Sequence, residues 1–140
     1  MKRFMVLAVV VFAVFGMVCS AGAADFSGKW TNTKLSIVEL DGSVSQEMDF
    51  DSLADSDDEL GYAEIRDGKA FVQFTGDDEI MEFTVRESGD KLVAELTEDL
   101  KEEGFTSVEF YFEDGWLVLS MALTIEDESG FIVNYYRRPK

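Results

Sequence analysis

The chain has 140 residues, 29 of them acidic against 12 basic, with no histidine, one cysteine and a formal net charge of −17 at pH 7. That charge repels nucleic acid and anionic lipid surfaces, and the missing histidine removes Ser-His-Asp and Cys-His catalysis together with the commonest zinc ligand. The acids are interleaved with 46% apolar residues, so most of the charge reads as the solvated face of a folded domain and not as a disordered acidic tail.

Lys2 and Arg3, the apolar run from Phe4 to Val18 and the small residues from Ser20 to Ala24 follow one another in the order of a secretory signal peptide. Cleavage is expected after Ala23 or Ala24, and the apolar run falls short of the roughly 20 residues that a spanning helix needs. Cys19 admits a lipoprotein signal as a lesser reading, since the branched Val18 precedes it where a small residue is usual. Cleavage leaves one exported domain, periplasmic or secreted, over residues 25–140, with 29 acids against 10 bases and no cysteine. Without a disulfide its stability has to come from an apolar core.

From there turn signals recur: Asp41-Gly42, Asp67-Gly68, Gly76-Asp77, Gly89-Asp90, Asp114-Gly115 and Ser129-Gly130. Asp-Gly between apolar runs is hairpin chemistry, because a type I′ turn needs positive φ at both central residues. Between the turns the period is two. Met81, Phe83 and Val85 alternate with Glu82, Thr84 and Arg86; Val108, Phe110 and Phe112 alternate with Glu109 and Tyr111; Leu117, Leu119, Met121, Leu123 and Ile125 alternate with Val118, Ser120, Ala122 and Thr124. The pattern predicts strands near 29–40, 43–48, 61–66, 69–75, 79–87, 91–97, 105–113, 116–126 and 131–138. The stretch from Glu47 to Leu60 carries seven acids in its first thirteen residues. Within it Asp51-Ser52-Leu53-Ala54-Asp55 reads as a short N-capped helix with Leu53 turned inward. Residues 98–104 read as one helical turn stopped by Gly104. Consecutive hairpins leave two open sheet edges unless the sheet closes, so the expected fold is all-β, an antiparallel up-and-down barrel of eight to nine strands.

Phe26-Ser27-Gly28-Lys29-Trp30 before the first strand, the meander of hairpins and Asn134-Tyr135-Tyr136-Arg137-Arg138 on the last strand resemble the lipocalin-like (calycin) families. In those families a Gly-x-Trp triplet opens the first strand and an arginine of the last strand packs across the Trp ring. The resemblance implies barrel closure by Gly28, Trp30 and either Arg137 or Arg138. Fatty-acid-binding proteins, which the mature length approaches, hold a carboxylate with Arg and Tyr one residue apart on the last strand, and Tyr135 and Arg137 have that spacing in reversed order. If their face is inward they are polar anchors for a ligand. If not, stacking of Arg137 on Trp30 is the structural reading.

Phe74, Phe83, Phe110, Phe112, Leu119 and Met121 are the expected wall of a ligand cavity if the lumen is open, and simply the core if it is filled. Taking Asp55, Asp57 and Glu59 as calcium-loop ligands fails, because Leu60 and Arg66 stand where Gly and Glu are required. No metal, cofactor or enzyme signature appears. The expectation is a binding protein for a small apolar or amphipathic molecule, neutral or cationic, with residues 49–60 as a lid. The alternative is a filled barrel acting as an envelope or secreted interaction module through its loops and acidic surface.

Overall fold

A computed structural model describes residues 25–139 of the chain. The leader, its cleavage site and Cys19 lie outside the described residues. Nine strands follow in order: β1 (Gly28–Glu39), β2 (Val44–Asp49), β3 (Tyr62–Arg66), β4 (Lys69–Gln73), β5 (Met81–Ser88), β6 (Lys91–Ala94), β7 (Phe105–Glu113), β8 (Trp116–Ile125) and β9 (Glu128–Arg137). One short helix, α1 (Glu98–Glu102), separates β6 from β7. Each strand pairs antiparallel with its neighbour, and β1 also pairs with β9 from Thr31↔Arg137 to Glu39↔Gly130. Eight strands, β1 and β3 to β9, therefore form a closed up-and-down barrel, and β2 is the ninth.

β2 and β3 share one edge of β1. β3 takes its first residues, with Gly28 opposite Ile65 and Thr31 opposite Tyr62; β2 takes the later ones, with Lys34 opposite Asp49. Residues 50–61 leave the wall between the two, at a bulge in β1. There the Thr33 carbonyl accepts from the amides of Phe50 and Asp51, and the Asn32 amide donates to the Gly61 carbonyl. The bulge inserts one residue between Asn32 and Lys34, which shifts the parity of the strand. Trp30 and Asn32 point inward before it, Leu35 and Ile37 after it.

Of the two segments expected to be helical, one differs from the sequence expectation. No α-helix forms at residues 51–55: the segment has turns and a single 3-10 turn, Asp57–Glu59, and Leu53 is 78% exposed. The Asp51 carboxylate, which would have capped that helix, is instead bound by Arg137. The helical turn at residues 98–104 does form as α1, with Thr97 Oγ1 accepting from the Leu100 amide. Gly104 follows it at φ 102, and α1 turns Leu100 into the core.

The core lies towards the end of the barrel where β1 starts and β9 finishes. Ala63, Ile65, Ala70, Val72, Phe83, Val108, Phe110, Leu117, Leu119 and Met121 fill it. Each large side chain so buried contributes about 1.5–3 kcal/mol. Towards the other end Leu35, Ile37, Phe74, Met81, Phe105, Leu123 and Ile132 are only half-buried. The barrel is thus packed at one end and wide at the other.

Gly61 stands where the chain re-enters the wall, and a Cβ there would overlap the Gln73 carbonyl oxygen and the Thr75 amide nitrogen. Both are backbone atoms and cannot swing aside. Gly61→Ala is expected to cost about 3 kcal/mol or more, read as a fall in the denaturant midpoint with an unchanged slope.

Candidate functional site

The packed end is closed by four side chains. Phe26 stacks on Phe112 with ring centroids 4.9 Å apart, and Phe112 meets Trp30 at 5.5 Å. Trp30 is buried, with Nε1 donating to the Phe26 carbonyl at 2.9 Å. The Arg138 guanidinium lies 3.7 Å above the Trp30 ring and donates to the Ser27 carbonyl at 3.0 Å. Gly28, at φ 103, makes room for it, since a Cβ would fall 2.7 Å from Arg138 Nη1. Closure therefore uses Gly28, Trp30 and Arg138, and Arg137 takes no part in it.

Parity on β9 decides this. Asn134 lies opposite Leu119 and Tyr136 opposite Leu117, all of them fully buried, so Ile132, Asn134 and Tyr136 face inward. Phe131, Val133, Tyr135 and Arg137 take the outer face. Tyr135 and Arg137 therefore do not reach the lumen. Tyr135 lies under the Lys34 ammonium at 4.6 Å. Arg137 binds two carboxylates of the strap between β2 and β3: Asp51 at 2.8 Å and Asp57 at 2.7 Å. Those hydrogen bonds raise the guanidinium pKa further, Asp51 contributing most. Residues 49–60 are held against the outer wall and not across the mouth.

The predicted cavity residues divide. Phe83, Phe110, Leu119 and Met121 are packed in the core. Phe112 belongs to the closed end and is 37% exposed. Phe74 is half-buried and packs against the core. Among the described residues no group of three or more acidic side chains converges as a metal ion requires.

On the inner wall the structure assembles a polar cluster that the sequence reading missed. Asn32 and Asn134 are fully buried. Asn32 Oδ1 accepts from Thr75 Oγ1 at 2.9 Å and from the Thr75 amide at 3.3 Å, while its Nδ2 donates to Asn134 Oδ1 at 3.2 Å. Asn32 is thereby fixed, and it in turn fixes Asn134 with Nδ2 as a free donor. Asn134 Nδ2 and the Tyr136 hydroxyl have no hydrogen-bond partner. Burial raises the Tyr136 pKa, so the phenol stays a neutral donor. The available signal was Asn134 inside the run Phe131–Tyr136, which is otherwise apolar or aromatic; Asn32, among threonines and a lysine in β1, gave none.

Above this cluster the wide end opens as an apolar depression of about 350 Å³, floored by Ile37, Leu123, Ile125 and Ile132. Its rim carries Glu39, Glu126 and Glu128 and, among the described residues, no basic one. The β8–β9 turn is formed by Glu126 and Asp127, at φ 51 and 68, and not by Ser129-Gly130, which lie within β9; the β3–β4 and β7–β8 turns give the same two positions to Asp-Gly.

No protein-family model matches the chain, and no curated protein matches it. Among solved structures it is similar to zebrafish ileal bile acid-binding protein complexed with cholic acid, at 14% identity and a TM-score of 0.46, covering 81% of this chain and 98% of that one. That likeness carries no chemistry from one chain to the other.

Removing Arg137 leaves Asp51 and Asp57 facing each other without their shared cation. Arg137→Gln is expected to cost about 1–3 kcal/mol, between the values for exposed and buried pairs, and to accelerate hydrogen exchange and proteolysis within residues 50–61 before the barrel opens.

Proposed function

We propose that the protein is exported and non-catalytic, and that it binds one small amphipathic molecule on the inner wall beneath the wide end of the barrel. The observation carrying this reading is the pair of buried donors without acceptors, Asn134 Nδ2 and Tyr136 Oη, two residues apart on one face of β9. Each unsatisfied group costs about 1–3 kcal/mol. A ligand oxygen accepting from both recovers that cost, which makes the pair a built headgroup contact.

The apolar part of the ligand runs from this pair along Ile132 to the depression of Ile37 and Leu123, where burial supplies about 25 cal/mol per Å². Leu35, Phe74, Met81 and Phe105 are the half-buried side chains that move aside on entry. Among the described residues no positive charge faces this site: Arg137 is bound outside and Arg138 lies over Trp30. The rim carboxylates add repulsion. The ligand class is therefore a neutral acceptor such as a carbonyl, hydroxyl or ether, on an apolar body, and not a carboxylate.

The test is extraction of the natively purified protein with organic solvent, mass spectrometry of the extract, and displacement of a lumen-seeking dye. A stoichiometric amphiphile and saturable dye uptake are expected. Recovery of nothing, with no dye uptake, establishes the filled barrel that works through its loops and acidic surface. In the empty protein Tyr136→Phe is expected to raise stability by about 1 kcal/mol, because it deletes an unpaired buried hydroxyl. The same change, alone or with Asn134→Leu, is expected to shrink the thermal shift that the extracted molecule produces.

A further inference from the structure

Outside the barrel a groove of about 580 Å³ lies between β2 with the strap after it and the β7–β8 turn, over the outer face of β1 and β9. Trp116 and Tyr135 supply its aromatic surface, and Asp49, Asp51, Glu113 and Asp114 its carboxylates. Among the described residues Lys34 is the one basic residue lining it, and that ammonium is already engaged, 3.5 Å from Glu47 and over the Tyr135 ring.

Four aromatic rings of the outer wall lie under a cation. Lys29 lies over Tyr62, Arg66 over Phe71, Lys91 over Tyr111 and Lys34 over Tyr135, at 4.5 to 5.6 Å from the ring centroids. Trp has the most attractive ring for a cation. Trp116 nevertheless is 38% exposed and lies under no cation among the described residues. Its neighbours across the groove are carboxylates, and Asp49, Glu113 and Asp114 form no ion pair with a described Lys or Arg. The wall opposite is held in place, since Arg137 fixes Asp51 from behind.

We infer that this groove is a second binding site, for the alkylated ammonium group of an organic cation, with Trp116 as the stacking surface and Asp49, Glu113 and Asp114 as the counter-charge. An open indole beside unpaired carboxylates suits a large, weakly hydrated cation: the ring receives the alkyl surface while the carboxylates supply long-range attraction. A sugar would also stack on Trp116, but it would leave Asp49, Glu113 and Asp114 without a counter-charge. The site is independent of the lumen, because Trp116 and Tyr135 lie on the opposite face of the wall from Leu117 and Tyr136.

Choline is the probe, and dimethylbutanol, in which carbon replaces the charged nitrogen, is its uncharged control. Saturation-transfer NMR on the intact protein is expected to show saturable choline binding roughly tenfold tighter than the control, weakened by salt. Trp116→Leu is expected to abolish it, and the pair Glu113→Gln with Asp114→Asn to weaken it several-fold. Both leave the far-ultraviolet spectrum and the uptake of the lumen dye as they were. Lys34→Gln is expected to tighten it, by freeing the Tyr135 ring and removing a like charge; misfolding cannot imitate that gain. The inference is overturned if choline and dimethylbutanol bind alike, if neither binds, if a folded Trp116→Leu binds choline unchanged, or if a neutral sugar occupies the groove and choline does not displace it.

Discussion

The pairing of the first strand with the last is the constraint on which everything else in this protein rests. Without it, eight strands make an open sheet with two bare edges. With it, the inner faces meet and a chain that forms no disulfide in the described domain still obtains a dry core. The pairing is secured at its end by Arg138, whose guanidinium covers Trp30 and reaches the Ser27 carbonyl. One side chain thus joins the two ends of the described chain through a ring contact and a hydrogen bond at once.

Closure also sorts the charge. The strands can hide only one face, so the acids that make up the net charge line the outer wall, the turns and the rim. Scarce cations are then placed with economy: Arg137 serves two aspartates of the strap, and Lys34 serves both Glu47 and the Tyr135 ring. The strap at residues 50–61 is a by-product of this arrangement. β1 is longer than any one partner on its outer edge, β2 and β3 divide that edge, and the chain between them has to leave the wall at the Thr33 bulge and be tied down from outside.

The inner wall departs from the uniform packing that stability alone favours. Asn32 and Asn134 replace apolar side chains at inward positions, and the cluster they form leaves two donors unmatched. A buried donor left unmatched costs the fold about 1–3 kcal/mol, which is why unsatisfied polar atoms in a buried wall call for an explanation that the aromatic residues around them do not. The phenylalanines that stand out in the sequence are mostly core.

Strand number, the Asp-Gly turns and the barrel architecture were legible in the linear sequence, because alternation and Asp-Gly turns are local properties of the chain, whereas the last turn lies at Glu126-Asp127 and not at the expected Ser129-Gly130. Phe83, Phe110 and Leu119 could be placed on the inner face for the same reason, since their strands show one apolar side. The last strand shows two comparable faces, Phe131, Val133 and Tyr135 against Ile132, Asn134 and Tyr136, and nothing within it says which turns inward. That choice is made by register: Tyr136 opposite Leu117, and Asn32 opposite Tyr136. The single-residue bulge at Thr33 then keeps β1 in phase with it. A shift of one residue reverses every side chain on a strand. The roles of Arg137 and Arg138, the fate of the acidic strap and the existence of the Asn–Tyr cluster were accordingly decided only when strands a hundred residues apart met. Periodicity is written along the chain, whereas phase between distant strands exists only in the folded ring.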